Sequence, residues 1–200
     1  IQSSTSYAFL DPTSKKEGKH LDRWRLRINV DMADIPEKLN DLKMISYSEI
    51  EAESSKVGVS PATIEKDYHL DWYLAGLLSE NLFSRFSFYG GTAIKKIFIP
   101  NHRFSEDIDL ISAGNLDLNS MRPILDRVHK FLEKEANLFY FYRPEEIQVA
   151  GTQTRFLIHY RGFSEIGGIK RFLLDFAQGI EGLPKPVPRK LITAYRDLIG

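Results

Sequence analysis

Phe88-Tyr89-Gly90-Gly91-Thr92-Ala93-Ile94-Lys95-Lys96, followed by Arg103-Phe104-Ser105-Glu106-Asp107-Ile108-Asp109-Leu110, is the stretch that decides the fold. Phe86-Ser87-Phe88-Tyr89 reads as a short aromatic strand running into Gly90-Gly91. Residues 92–98 read as a short helix, Pro100-Asn101 as a turn, and Ile108-Asp109-Leu110-Ile111 as a second strand. Residues two apart on a strand point to the same side. Asp107 and Asp109 therefore share one face, and Ile108 and Leu110 share the other.

Upstream, Ser60-Pro61 opens the clearest helix in the chain. Ser is a good N-cap, Pro is tolerated at the first helical position, and Ile64, Tyr68, Trp72, Ala75 and Leu78 recur at spacings of three and four. This helix is expected to stop near Asn81. Before it, Ser48 and Glu51 have capping-box spacing and start a helix running towards Val57, with Gly58 as its end. Residues 1–45 read poorly as core: only residues 24–30 alternate like a short strand, and residues 36–44 suit a short helix.

Downstream, residues 118–135 form an expected helix, with Asn119 or Ser120 as cap and Ile124, Val128, Phe131 and Leu132 along one face. Residues 138–142, 154–160 and 169–177 read as three more strands, joined by Pro144 and by turns at Gly162 and Gly167-Gly168. Pro184, Pro186 and Pro188 stiffen an extended segment, and residues 191–199 suit the start of another helix. A run of strands late in the chain predicts an α+β fold, with a mixed or antiparallel sheet and helices packed on one side. The expected division is an arm at 1–45, a core at 46–182, and the start of a C-terminal helical region at 183–200.

Composition narrows the functions. The 200 residues carry 27 Lys+Arg against 27 Asp+Glu, which excludes a generally basic nucleic-acid coat; any nucleic acid must be held by a local patch. With 42% hydrophobic and 27% charged residues, the chain is of ordinary globular type. Cys is absent, which removes disulfides, a thiol nucleophile and Cys-based zinc. His20, His69, His129 and His159 lack ligand spacing. No stretch approaches the roughly 20 apolar residues of a membrane helix and no signal peptide is visible, so a cytoplasmic protein is expected.

Two features carry chemistry. Gly90-Gly91-Thr92 stands between a strand and a helix, where backbone N–H groups point at anions and glycine lets a ligand approach closely; taken alone, it reads first as a turn that needs glycine only for its shape. Asp107 and Asp109 repel each other unless a cation lies between them, and a hard divalent ion with oxygen ligands suits that place; taken alone, Asp-x-Asp is equally a solvated strand face. Both in one segment, with Arg103 and Ser105 in the loop between, make a layout for a triphosphate and a metal. Two-metal phosphoryl chemistry needs a third carboxylate on a neighbouring strand, and Asp175, within Phe172-Leu173-Leu174-Asp175-Phe176-Ala177, is the only Asp in the last three expected strands.

Gly-Gly-Thr-x-Ile-x-Lys followed by Arg-Phe-Ser-Glu-Asp-Ile-Asp-Leu resembles the AbiEii/AbiGii family of nucleotidyltransferase toxins, which includes the MenT-like toxins. Ile64-Glu65-Lys66-Asp67-Tyr68 is similar to that family's upstream Ile-x-Lys-Asp element. The resemblance spans about residues 48–179. It implies a polymerase-β-like nucleotidyltransferase core, a nucleoside triphosphate substrate, Mg²⁺ (or Mn²⁺), a cognate antitoxin, and for some members transfer of nucleotides to the 3′ end of tRNA. By the same resemblance Gly90, Gly91 and Thr92 hold triphosphate oxygens, Arg103 and Ser105 sit by the phosphates, Lys95 neutralises phosphate, and Asp107 and Asp109 bind metal. Asp175 joins them by the chemistry of the fold. Lys66 and Asp67 are placed near the site and Lys96 in solvent. Lys185, Arg189 and Lys190 form a basic edge fit for an RNA backbone. Family members carry a later Glu-Lys helix and an Arg-Asp-Leu-Tyr-Asp-like element. Here Arg196-Asp197-Leu198 is a faint echo of the second, so the chain reads as a fragment or a shortened relative. Two other readings stay open: the same chemistry on a protein or small-molecule acceptor, and a nucleotide-binding module without catalysis.

Overall fold

Ser60 caps the central helix as its spacing predicts: its side chain accepts the Thr63 N–H, and Pro61 takes the first helical position. The protein is described by a computed structural model covering residues 6–8, 27–29, 44–112, 114, 117–163, 168–178 and 189–195. The expectations for residues 36–43, the Pro-rich segment and Arg196-Asp197-Leu198 lie outside the described residues. In chain order the elements are β1 (Ser6–Ala8), β2 (Arg27–Asn29), α1 (Tyr47–Val57), α2 (Pro61–Ser79), β3 (Ser87–Tyr89), α3 (Gly90–Ile97), β4 (Asp107–Ser112), α4 (Leu118–Ala136), β5 (Tyr140–Phe141), β6 (Gln148–Ala150), β7 (Gln153–Arg161) and β8 (Ile169–Gln178).

β1 and β2 form an antiparallel pair of their own. The main sheet runs β3-β4-β8-β7-β5, with β6 also paired to β7. Only β4 and β8 are parallel; the other pairings are antiparallel, so the sheet is mixed and the fold α+β. Ile108, Leu110, Phe156, Ile158, Phe172, Leu174 and Phe176 project from one face and are buried. α2 and α4 cover that face: Tyr73 of α2 meets Phe172 edge-on at 5.0 Å, and His129 of α4 stacks over Tyr140. The two helices come close at Gly76, where a Cβ would lie 2.9 Å from Val128 Cγ1. The opposite face carries Asp107, Asp109 and Asp175.

The structure corrects several local readings. The capping box of α1 is Ser46 with Glu49, two residues before the predicted pair, while Gly58 ends the helix in the left-handed region at φ 73°. Asp117, not Asn119 or Ser120, caps α4. α2 is not amphipathic in effect, because residues 67–74 are all buried and its polar side chains must find partners inside. The β6–β7 hairpin, turned at Gly151 and Thr152, interrupts what reads as a plain connection after Pro144. Residues 191–195 run without helix. Tyr195 inserts into the core, its hydroxyl donating to Ile64 O at 3.1 Å and to Asp67 Oδ2 at 2.9 Å.

Candidate active site

Strand register gathers the chemistry-bearing residues into one transverse row. Tyr89 pairs with Asp109, Asp109 with Asp175, Asp175 with Arg155, and Arg155 with Gln148. Directly paired residues point to the same face, so five strands deliver their side chains to one open cleft of about 560 Å³. Its walls include Gly90 and Gly91 at the start of α3, His102 and Arg103 from the following loop, Asp107, Asp109, Asp175 and Arg155.

The close approach of α3 to β4 explains the first glycine. Gly90 has φ 82°, and a Cβ there would lie 1.9 Å from Asp109 Oδ2. No other residue type fits without displacing that carboxylate. Gly91 is also tight: its Cβ would lie 3.0 Å from Ser105 Oγ and 3.6 Å from Arg103 Nη2. The N-terminal turn of α3 therefore faces the same space as the guanidinium of Arg103, an arrangement suited to an anion.

Each carboxylate is held differently. Ser105 Oγ donates to Asp107 Oδ1 at 2.7 Å, fixing the Asp107 side chain from the preceding loop. Asp109 packs against Gly90. Asp175 receives both arms of Arg155, Nε on Oδ1 at 2.8 Å and Nη2 on Oδ2 at 2.7 Å. This bidentate pair, together with the nearby Asp107 and Asp109, raises the pKa of Arg155 further. Arg155 escapes sequence reading because only the register of the β7–β8 hairpin brings it opposite Asp175.

The donor set suits a divalent metal in its chemistry, since three carboxylates on one face offer only oxygen, as Mg²⁺ prefers. Among the described residues no cluster of three His, Cys, Asp or Glu stands ready to hold an ion. Asp175 is engaged by Arg155, so joining Asp107 and Asp109 around an ion requires Arg155 to release it.

The remaining residues singled out in the sequence fall elsewhere. The Thr92 hydroxyl is buried and donates to the carbonyl of Asp107, tying α3 to the first residue of β4 instead of facing the cleft. Lys95 donates to Pro100 O at 3.0 Å and lies 3.9 Å over the Phe104 ring, away from the carboxylates. Lys66 binds Glu106 at 2.5 Å, next door to Asp107 but outside the cleft. Lys96, expected in solvent, is only 3% exposed; it bridges Asp67 at 2.7 Å and Asp71 at 2.6 Å behind α3. Burial alone would lower the Lys96 pKa, yet Asp71 and Asp67 together raise it. Burial pushes Asp71 up to about 6, with Lys96 opposing and Asp67 reinforcing. Asp67 thus serves a buried ion-pair network and not the cleft.

A family model described as "Nucleotidyl transferase AbiEii toxin, Type IV TA system" matches residues 72–198. The matched span holds every cleft residue named above and leaves out Lys66 and Asp67. No curated protein gives a significant match to the chain.

Proposed function

Since the chain belongs to the AbiEii nucleotidyl transferase toxin family of type IV toxin–antitoxin systems, we propose that this nucleotidyltransferase uses Mg²⁺ and a nucleoside triphosphate, and that its acceptor is the 3′-hydroxyl of tRNA. The observation that carries the reading is the pairing of Asp109 with Asp175 beside the Gly90-Gly91 turn: carboxylates and an anion-facing helix start meet in one cleft.

In this reaction the acceptor oxygen forms a bond to the α-phosphorus, the bond from that phosphorus to the bridging oxygen breaks, and pyrophosphate leaves with the electron pair. The N–H groups at Gly90 and Gly91 and the guanidinium of Arg103 receive the β- and γ-phosphate oxygens. Asp107 and Asp109 would hold the ion, with Asp175 as their third partner. Charge neutralisation at the phosphates is the chemistry that Mg²⁺ would supply there. Ser105 keeps Asp107 aimed, and Thr92 keeps α3 and β4 in register. Asp175 accepts the proton of the acceptor hydroxyl, and Arg155 guards it until substrate arrives. The antitoxin expected for a toxin of this family completes the system.

Transfer of label from each α-labelled triphosphate tests the reading, with tRNA and protein fractions separated afterwards. Label in tRNA that disappears with Asp175→Asn supports it. Label in protein selects the second acceptor class, and triphosphate binding without turnover selects a non-catalytic module.

A further inference from the structure

Beyond the cleft the same sheet face continues along β8, and among the described residues that surface has a definite chemistry. Moving along β8 away from Asp175, the next same-face positions are Leu173, Arg171 and Ile169. Pairing extends each into a row: Arg171 with His159 and Phe141, and Ile169 with Arg161. Phe139 joins that last row, its carbonyl accepting the Arg161 N–H. Phe139 is 45% exposed and stands 5.8 Å from Phe141 between ring centroids. Arg161 sits over Phe139 at 6.0 Å and Arg143 over Phe141 at 5.9 Å. His159 stacks on Phe141 at 4.8 Å.

The charges facing this surface are unequal. Glu146 bonds His159 at 2.5 Å and Arg143 at 3.5 Å, which occupies one acid and one arginine. Exposed Glu145 lies beside it. Among the described residues, neither Arg161 nor Arg171 has a carboxylate within ion-pair distance, and Arg171 acts on Glu146 only through space. Arg143, Arg161 and Arg171 against Glu145 and Glu146 leave the described surface with a small positive excess, beside the exposed ring of Phe139. Aromatic rings on an open sheet stack bases, and arginines without acid partners collect backbone phosphates. A duplex cannot stack its paired bases on a side-chain ring, whereas the splayed bases of a single strand can.

We infer that the β5–β7–β8 face carries the single-stranded 3′ segment of the acceptor RNA, with the exposed Phe139 as its stacking platform, Phe141 backing that ring, and Arg161 and Arg171 on its phosphates. This rests on the nucleotidyl-transfer reading above and assigns residues to its acceptor side. By the rise of a strand, Arg171 lies about 13 Å and the Arg161 row about 20 Å from Asp175. The terminal hydroxyl thereby reaches the carboxylates while preceding nucleotides follow the strands. Arg161, Arg171, Phe139 and Phe141 are positioning residues; they do not touch the reacting atoms.

Fluorescence anisotropy on the full chain tests this, with a labelled single-stranded RNA oligonucleotide bearing a free 3′-hydroxyl, its blunt duplex as control, and a salt series. The expected result is preference for the single strand, with binding weakened at least tenfold by Arg161→Ala/Arg171→Ala. The slope of log affinity against log salt should fall by about 1.4 for the two charges. Phe139→Ala should weaken binding by about tenfold with the slope unchanged. Arg161→Lys/Arg171→Lys should restore the slope, and Asp107→Ala should bind RNA while transferring no label. The inference is overturned if the wild type ignores the single strand, prefers the duplex, or keeps affinity and slope without the two arginines. Label transfer to tRNA that is indifferent to these substitutions would sink the surface and leave the function standing. Arginine-dependent RNA binding by a protein that never transfers label would do the reverse.

Discussion

α3 separates two charge clusters of similar composition and opposite use. Behind it, Lys96, Asp67 and Asp71 are closed off from water and pair with one another, Tyr195 being a further donor, while Asp71 Oδ2 finds no hydrogen-bond partner among the described residues. In front, Asp107, Asp109 and Asp175 line an open cleft, and the partner of Asp175 is a half-exposed guanidinium. Buried ions without partners are costly, so Lys96 and the two carboxylates hold one another in place. The front cluster keeps its acids at the surface, where substrate and cation can replace a protein partner. Charge density alone does not mark a site; the difference lies in whether the partners are locked.

Breaking the rear cluster should have the largest effect. Lys96→Met leaves two carboxylates buried without a cation, and a loss of about 3–5 kcal/mol in urea-unfolding stability is expected. Lys96→Met/Asp67→Asn/Asp71→Asn should recover most of that loss. If the single variant unfolds like wild type, the cluster is not a lock.

The front is sharpened by Gly90→Ala. A Cβ collides with Asp109 Oδ2 and the positive φ disfavours any side chain, so the carboxylate shifts. Transferase turnover should fall about a hundredfold from misplacement of the catalytic group, while the fold loses about 1–2 kcal/mol. Turnover that tracks stability alone would show that Asp109 need not hold its place.

The smallest effect is on pH dependence, which the buried histidines and Asp71 set together. Burial lowers His69 to about 3 and His129 to about 4. Between those values and 6.5 the unfolded chain binds a proton at each histidine that the folded chain refuses, so stability rises with pH. Asp71, raised to about 6, acts oppositely, its contribution being complete below 3.8 and lost as pH rises through 6. Two histidines against one acid leave a net rise on the order of 1 kcal/mol per pH unit near pH 5. His129→Gln should nearly flatten it. Urea midpoints at pH 5 and pH 7 measure both.

How much of this can be read in the sequence follows from what each signal depends on. Ser60-Pro61 and the alternation through Asp107 and Asp109 are local, and both the helix and the shared face appear where they point. Asp175 stands out because one acid among apolar neighbours is conspicuous. Arg155 does not, since its partnership depends on hairpin register. β6 is three exposed residues without alternation to betray them. Lys96 and Thr92 lie elsewhere than their sequence suggests because α3 is packed on two sides: a short helix next to glycines looks like a loop's edge, and nothing nearby in sequence announces Asp67 and Asp71 at its back.

The most direct measurement is label transfer from α-labelled nucleoside triphosphates to bulk tRNA with Mg²⁺, comparing wild type with Asp107→Ala under conditions where both are folded. Label in tRNA from the wild type, reduced at least a thousandfold (about 4 kcal/mol of barrier) in the variant, is the expected result. Equal transfer by both would contradict it, because the cleft would then not be where the reaction occurs.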